Sequence, residues 1–263
     1  MTPFLADEAL VNLILVHFMV SIRFMAMILT ASVFMLPSMP IPVKFWLSVM
    51  LAIVVTPVAE VEVPGVLLGS WVYLFIMVGR EFLIGTSIGV ISSLPIYAMQ
   101  VSGYFDSTLM GFNMMNIFDP LSVSQTSVLA QMKYLLAIWF YLHWNGHMLL
   151  IQALSESIKL VPIGIGLWDG AGEIPWLEWL GTIFVIALKM SLPIFGSLLL
   201  AEVGLGFVAR TVPQMNVFVL GIPLKIAMGF FVLLMVFPSS VDIFHKEIER
   251  AVEWAVRGIH FWR

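Results

Sequence analysis

Charged side chains inside long apolar stretches are the residues of this sequence that could carry chemistry. Eight of them interrupt apolar runs: Arg23, Arg80, Glu81, Lys133, Lys189, Glu202, Arg210 and Lys225. Even a lenient scale assigns roughly 2.5 to 3.5 kcal/mol to each such group at the centre of a bilayer. Acids and bases in such places either neutralise one another or relay protons, so they indicate interhelical ion pairs or a proton-coupled transporter.

Glu202 and Lys225 are the two charged residues whose spacing predicts a contact. They lie in apolar segments 176–209 and 215–238, whose short polar link predicts an antiparallel helical hairpin. At a rise of about 1.5 Å per residue, both residues lie roughly 17 Å from the centre of the turn. We therefore predict an ion pair across the hairpin; a proton relay is the functional alternative.

Other reactive groups are sparse. His143 and His147 share a helix face, as zinc ligands would, but Trp144 follows His143 and no third ligand is close. With no cysteine in the chain, thiolate metal sites, Fe–S clusters and cysteine nucleophiles are excluded. No P-loop motif is present. We expect no catalytic residue, no metal site and no cofactor.

The composition places these residues in an apolar environment. Of 263 residues, 61% are hydrophobic and 11% charged, against roughly 45 to 50% and about 25% in soluble domains. The mean hydropathy of +1.04 means that lipid or apolar proteins must cover much of the chain. A net charge of −4 without basic clusters excludes nucleic acid as a ligand.

Long apolar segments predict an all-α fold. They lie near residues 10–36, 43–59, 66–80, 82–101, 128–154, 176–209 and 215–238, which a hydropathy count converts to about six spans. Pro95, Pro193 and Pro223 predict helices that are kinked or broken. The spacing of Gly85 and Gly89 predicts close helix packing, and a second small-residue contact is predicted at Gly204 and Gly206.

Three segments differ from these apolar helices. Residues 102–127 and 159–175 are polar and predict loops. Residues 242–263 predict an amphipathic terminal helix, with Glu253 and Arg257 as an i,i+4 pair.

The loop within residues 103–131 has an unusual centre. Its residues are Gly111, Phe112, Asn113, Met114, Met115, Asn116, Ile117, Phe118, Asp119 and Pro120. Methionine side chains pack tightly yet adapt, so this segment suits a hydrophobic constriction that closes an opening. A buried re-entrant loop that only fills space has the same composition.

A family resemblance rests on the order and spacing of several motifs. The C-terminal motif comprises Gly204, Gly206, Arg210, Pro213, Gln214, Asn216, Val217, Phe218, Gly221, Pro223, Leu224 and Lys225. Phe118-Asp119-Pro120, Asn145-Gly146-His147 and Leu160-Val161-Pro162-Ile163-Gly164 precede it in the same order. The sequence resembles the type III secretion export-gate family, whose flagellar members are the FliR proteins and whose other members serve injectisomes.

The resemblance implies a non-enzymatic subunit of a flagellar export gate. It implies long kinked helical hairpins that pack against homologous subunits in a helical, ring-like assembly instead of a six-span bundle. The implied partners are homologues of FliP and FliQ, FlhB as a neighbour, exported flagellar proteins in transit, and membrane lipid at the rim. The implied location is the bacterial inner membrane at the flagellar basal body, with much of the subunit above the bilayer on the periplasmic side.

The resemblance also implies a division of the chain and a role for two segments. Residues 1–175 correspond to a FliP-like part and residues 176–263 to a FliQ-like hairpin with the tail 242–263. The loop at 111–120 corresponds to a plug of the export channel. The cluster that caps the hairpin turn comprises Arg210, Pro213, Gln214 and Asn216.

Two alternatives stay open at this point. One is an independent secondary transporter that couples protons through Glu202, Lys225 and Lys189. The other is the equivalent subunit of a virulence injectisome, which shares the C-terminal motif.

Overall fold

The computed structural model describes residues 3–35, 39–59, 71–112, 127–163, 176–212 and 217–259. The helices in these ranges are α1 Pro3–Thr30, α2 Ile41–Val55, α3 Trp71–Met110, α4 Val128–His143, α5 Gly146–Leu160, α6 Trp176–Thr211 and α7 Val217–Ile259. Short 3₁₀ turns follow α1 and α2, and no strand occurs in the described ranges. The predicted all-α class is confirmed.

Several helix boundaries differ from the sequence prediction. Segments 66–80 and 82–101 were predicted separately, but residues 71–110 form the single helix α3. The predicted loop 103–131 is correspondingly wrong at both ends, because residues 103–110 belong to α3 and residues 128–131 to α4. Segment 128–154 is two helices, since Asn145 has a φ of 57° and interrupts the helical backbone.

The predicted terminal helix is the continuation of α7, which runs without interruption to Ile259. The burial of its side chains is amphipathic, as predicted. Phe244, Ile248 and Ala255 are buried, whereas the charged residues Lys246, Glu249, Arg250, Glu253 and Arg257 are exposed. Arg257 Nη2 lies 3.5 Å from Glu253 Oε2, as the i,i+4 spacing predicted.

Prolines do not end the long helices. Helix α3 continues through Pro95, α6 through Pro193, and α7 through Pro223 and Pro238. Each proline lacks the N–H that would bond to the preceding turn, so each weakens the backbone ladder at one point without breaking the helix.

The hydropathy count of six spans is also wrong for the part of the chain that the structure describes. Four of its helical stretches are long and apolar enough to cross a membrane: Leu10–Thr30, Trp71–Met110, Glu178–Thr211 and Gly221–Gly258. Helix α2 is apolar but has only 15 residues, short of the ~20 that a spanning helix needs.

The chain forms two compact units, and each combines separate parts of the sequence. The first consists of Met1–Ser93, Leu142–Trp176 and Ile248–Arg263, and the second of Leu94–Tyr141 and Leu177–Glu247. Both contain segments from each side of residue 175. The division into a FliP-like and a FliQ-like part therefore stays a prediction from sequence likeness.

Glycine brings α1 and α3 together in the first unit. A Cβ at Gly85 would lie 2.2 Å from the carbonyl oxygen of Arg23, and one at Gly89 would lie 2.1 Å from Thr30 Oγ1. Only residues without side chains permit this approach, so the close packing predicted from the Gly85 to Gly89 spacing is confirmed. The buried residues Met19, Phe24, Met27, Ile84 and Ile88 belong to these two helices.

The core of the second unit joins α3, α4, α6 and α7. Its buried members are Met110, Leu129, Ile194, Leu198 and Leu233, and Leu109, Phe112, Met228 and Val232 pack against them. This core lies directly at the end of α3 and the start of α4. It therefore supports the two helix ends between which the predicted plug loop runs.

Candidate functional site

The predicted plug loop begins where α3 ends. Gly111 follows Met110 with a φ of +87°, a backbone conformation that glycine adopts without steric cost, and its N–H donates to the carbonyl oxygen of Thr108 at 3.2 Å. Gly111 and Phe112 are the described members of the predicted loop. Asn113, Met114, Met115, Asn116, Ile117, Phe118, Asp119 and Pro120 lie outside the described residues.

Helix α7 holds the root of this loop, which we define as residues 110–112. Met110 is fully buried, and a Cβ at Gly229 would lie 2.6 Å from its Cγ, so the absence of a side chain there makes room for the thioether. The Phe112 ring meets Phe230 edge-on, with centroids 5.9 Å apart and planes at 88°. The root of the loop is therefore held against α7.

A buried ionic cluster lies one turn before the root. Asp106 of α3 and Lys133 of α4 form a salt bridge in which their side chains are 0% and 4% exposed. Lys133 Nζ also donates to Ser102 Oγ at 3.0 Å. Ser191 of α6 donates its hydroxyl to the other carboxylate oxygen of Asp106 and lies 3.2 Å from the carbonyl oxygen of Ser102. Three helices thus meet at one pair of opposite charges.

Burying the charges of this cluster costs free energy. A buried carboxylate is costly unless charges and hydrogen bonds compensate it, and both oxygens of Asp106 have partners here. The neighbouring Tyr134 adds no charge. Its burial, and secondarily the nearby Tyr97, raise the pKa of its hydroxyl above the ordinary value, so it stays neutral.

The structure brings the predicted pair Glu202 and Lys225 together across α6 and α7. Lys225 Nζ contacts Glu202 Oε1, and the side chains are 25% and 58% exposed respectively. The pair borders a cavity of about 520 Å³ that Gly111, Leu205 and Gly206 also line. The hairpin pair and the loop root therefore face the same cavity.

The predicted small-residue contact at Gly204 and Gly206 is not made within the described parts of this chain. A Cβ at either position would meet no atom within 4 Å. Gly206 instead contributes open space to the cavity.

A test of the hairpin pair follows from its exposure. Lys225→Gln is expected to lower the free energy of unfolding of the purified chain by no more than about 1 kcal/mol, because water screens half-exposed ion pairs. Denaturant unfolding in detergent, compared at low and high salt, measures this. A loss of several kcal/mol, independent of salt, would show that the pair is effectively buried.

The hairpin-turn cluster is only partly described. Arg210 lies in the last turn of α6 with its side chain exposed, next to the end of the helix at Thr211. Pro213, Gln214 and Asn216 lie outside the described residues. The capping role of the cluster therefore stays a prediction.

A second buried network involves charges that the sequence singled out but did not pair. Arg23 Nε donates to Glu81 Oε2 at 2.5 Å, and both side chains are 0% exposed. The same guanidinium donates to Ser157 Oγ at 3.0 Å and to the carbonyl oxygen of Val161 at 3.1 Å. One arginine thus links α1, α3 and the end of α5 in the first unit.

The sequence does not predict the partners of Asp106 and Glu81, for two different reasons. Asp106 is not predicted to pair because the polar composition of residues 102–127 predicts a loop; the i,i+4 spacing of Ser102 and Asp106 is the signal for a continued helix. Glu81 was noted, but sequence spacing cannot pair residues 58 positions apart.

His143 and His147 form no metal centre with other described residues. In the described ranges, no group of three or more His, Asp or Glu side chains is arranged to hold a metal ion.

Comparison with known proteins assigns the family. The model of bacterial export proteins, family 1, matches residues 14–251. The chain belongs to this family. It is 35% identical over 178 residues to flagellar biosynthetic protein FliR of Bacillus subtilis, covering 65% of this chain and 68% of that protein. It is 28% identical over 229 residues to flagellar biosynthetic protein FliR of Pectobacterium carotovorum, covering 87% of each.

Family 1 of the bacterial export proteins extends beyond flagella. The chain is 29% identical over 184 residues to the secretion system apparatus protein SsaT of Salmonella typhimurium, covering 69% of each chain. The matched range of the family model contains the loop root, both buried ion pairs and the hairpin pair. The export-gate resemblance is therefore confirmed at the level of the family.

Proposed function

We propose that the chain is a core subunit of the flagellar type III protein export gate. In this proposal it assembles with homologues of FliP and FliQ, with FlhB as a neighbour, and forms the channel for unfolded flagellar proteins. Membership of the export family and likeness to two flagellar FliR proteins over as much as 87% of the chain support it. The match to SsaT keeps the injectisome equivalent as the nearest alternative.

The apolar surface of α6 and α7 carries the proposal. Only 17% of the most apolar stretch of α7 is buried by the chain itself, and 33% of that of α6. Large side chains such as Leu200, Phe207 and Leu234 are 66% to 72% exposed. Such a surface requires a cover of lipid or apolar protein, and homologous subunits in a ring-like assembly, with lipid at its rim, provide one.

The gate itself is the loop at 111–120. Phe112, Met114, Met115, Ile117 and Phe118 supply a deformable apolar seal that excludes hydrated ions and yields to a passing chain. The fixed root on α7 supports this role, because a plug has to be anchored at its base. The subunit carries out no catalysis in this proposal, and partner proteins and the membrane gradient supply the energy.

The same apolar surface supports a location at a membrane. We place the subunit in the bacterial inner membrane at the flagellar basal body, with much of it above the bilayer on the periplasmic side. Four helices long and apolar enough for a membrane support the association with lipid. The buried Arg23–Glu81 and Lys133–Asp106 pairs support contact with protein in place of lipid along parts of α3.

The gate proposal predicts a leak. Deleting residues 113–118, which leaves the root 110–112 in place, is expected to make the assembled gate conduct small ions while its subunit composition stays that of the intact complex. Conductance of the purified complex in planar bilayers measures the leak, and native mass spectrometry checks the assembly. Unchanged conductance of an intact complex would remove the plug.

Purification separates the proposal from an independent transporter. Expression with the neighbouring genes should yield a large mixed complex containing FliP-like and FliQ-like chains; a stable, active monomer would favour the transporter. The spacing of its candidate residues disfavours that reading, since Lys189 and Glu202 are 13 positions apart on α6, about 20 Å along the axis. Protons do not pass directly over such a distance.

A further inference from the structure

We propose that Asp106, Lys133, Ser102 and Ser191 form a clamp that sets the position of the loop root. We call these four residues the stem clamp. The inference concerns the described helix ends on either side of the loop, and it rests on the proposed function only for its consequence, the leak of the gate. The four residues are positioning residues, since they act through the backbone of α3 and α4.

The clamp sits where it can control both ends of the loop. Asp106 precedes Met110 by four residues and Lys133 follows Val128 by five, about 6 and 8 Å along the respective helices. Their contact therefore ties the last turn of α3 to the second turn of α4. Ser191 ties the same carboxylate to α6.

A close backbone contact near the salt bridge fixes the distance between α3 and α4. A Cβ at Gly103 would lie 2.7 Å from the Cα of Ala130 and 2.9 Å from the carbonyl oxygen of Leu129. The two helix backbones are thus in close contact one turn before Asp106. The Lys133–Asp106 salt bridge adds an ionic contact between the same two helices.

The buried charges of Asp106 and Lys133 favour a single arrangement of the stem clamp. Both oxygens of Asp106 and the ammonium of Lys133 have partners inside the protein, so a shift of either helix would leave a buried charge without compensation. Buried ion pairs of this kind add little net stability compared with apolar side chains, but they can select one register. An apolar replacement should therefore keep the fold and loosen the root.

The test uses the absence of cysteine from the natural chain. Cysteines placed at Thr108 and Met132, whose side chains are exposed, carry spin labels, and pulsed electron resonance measures their separation in the complex assembled with the partner chains. Asp106→Asn combined with Lys133→Met removes the salt bridge and leaves no buried charge. We expect a broader distance distribution and a leak several-fold above that of the natural complex.

Two further variants define the comparison. Lys133→Met alone leaves Asp106 charged and is expected to reduce the yield of complex more than the double variant does. Glu253→Gln with Arg257→Met also removes one acid and one base, but from an exposed pair on α7. It should change neither the distance distribution nor the leak.

The outcomes separate the clamp from the plug. A broadened distance with unchanged conductance would support the clamp and overturn the plug function of the loop. An unchanged distance would overturn the clamp whatever the conductance. A double variant that fails to assemble would assign Asp106 and Lys133 to folding alone and overturn the clamp as well.

Discussion

Arg23→Met is expected to lower the free energy of unfolding by about 3 to 5 kcal/mol, because it leaves the buried carboxylate of Glu81 without its counter-charge. Both side chains are fully buried, and Arg23 Nε lies 2.5 Å from Glu81 Oε2. The substitution also removes donors to Ser157 Oγ and the carbonyl oxygen of Val161. Denaturant unfolding of the purified chain in detergent measures the loss.

Two companion variants isolate the cause. Arg23→Met with Glu81→Gln removes the stranded charge and should recover much of the loss, since a neutral pair in the same place is far less costly than one buried charge. Arg257→Met removes the same functional group from an exposed pair and should change stability by no more than about 0.5 kcal/mol. Equal losses for Arg23→Met and Arg257→Met would mean that water reaches the Arg23 network.

The sequence was sufficient for the contact between Glu202 and Lys225 because only a short link separates their helices. The number of residues between each of them and the turn, multiplied by the helical rise, gives the distance of each residue from the turn along its helix. Arg23 and Glu81 are 58 positions apart, and Lys133 and Asp106 are 27. Pairing them requires the packing of the helices, which residue counts along the chain do not supply.

Polarity misled the prediction at the end of α3. Ser102, Asp106 and Ser107 predict a loop by composition, but all three are buried. A polar residue in an apolar protein marks the inside of a helix cluster as readily as it marks a loop. Tertiary contacts compensated the local preference, so α3 extends to Met110.

The break between α4 and α5 was predictable from its residues. Asn145 and Gly146 form an Asn-Gly dipeptide, a common turn signal, and Asn145 adopts the left-handed conformation. The apolar segment 128–154 predicts one continuous helix instead. The local residue types therefore indicate the structure correctly at Asn145 and Gly146, but wrongly at residues 102–110.

The spacing of Gly85 and Gly89 leads to a prediction for Gly85→Ala, whose expected loss of free energy of unfolding is similar to that for Arg23→Met. Gly85→Ala is expected to destabilise the chain by about 3 kcal/mol or more, near or above the upper end for overpacked sites. The new Cβ would lie 2.2 Å from the backbone oxygen of Arg23 and 2.9 Å from Ala26 Cβ. Backbone cannot turn aside as a flexible side chain can, so α1 and α3 would have to separate.

Gly79→Ala is the matched control on the same helix. A Cβ there would meet no atom within 4 Å, so the change should stabilise the chain by about 0.5 to 1 kcal/mol through the helix preference of alanine alone. Unfolding of both variants in the same detergent gives the difference directly. The two substitutions are chemically identical. If Gly85→Ala lowers the free energy of unfolding and Gly79→Ala raises it, the loss comes from the close approach of α1 to Gly85. Equal changes would show that α1 and α3 do not pack at this distance.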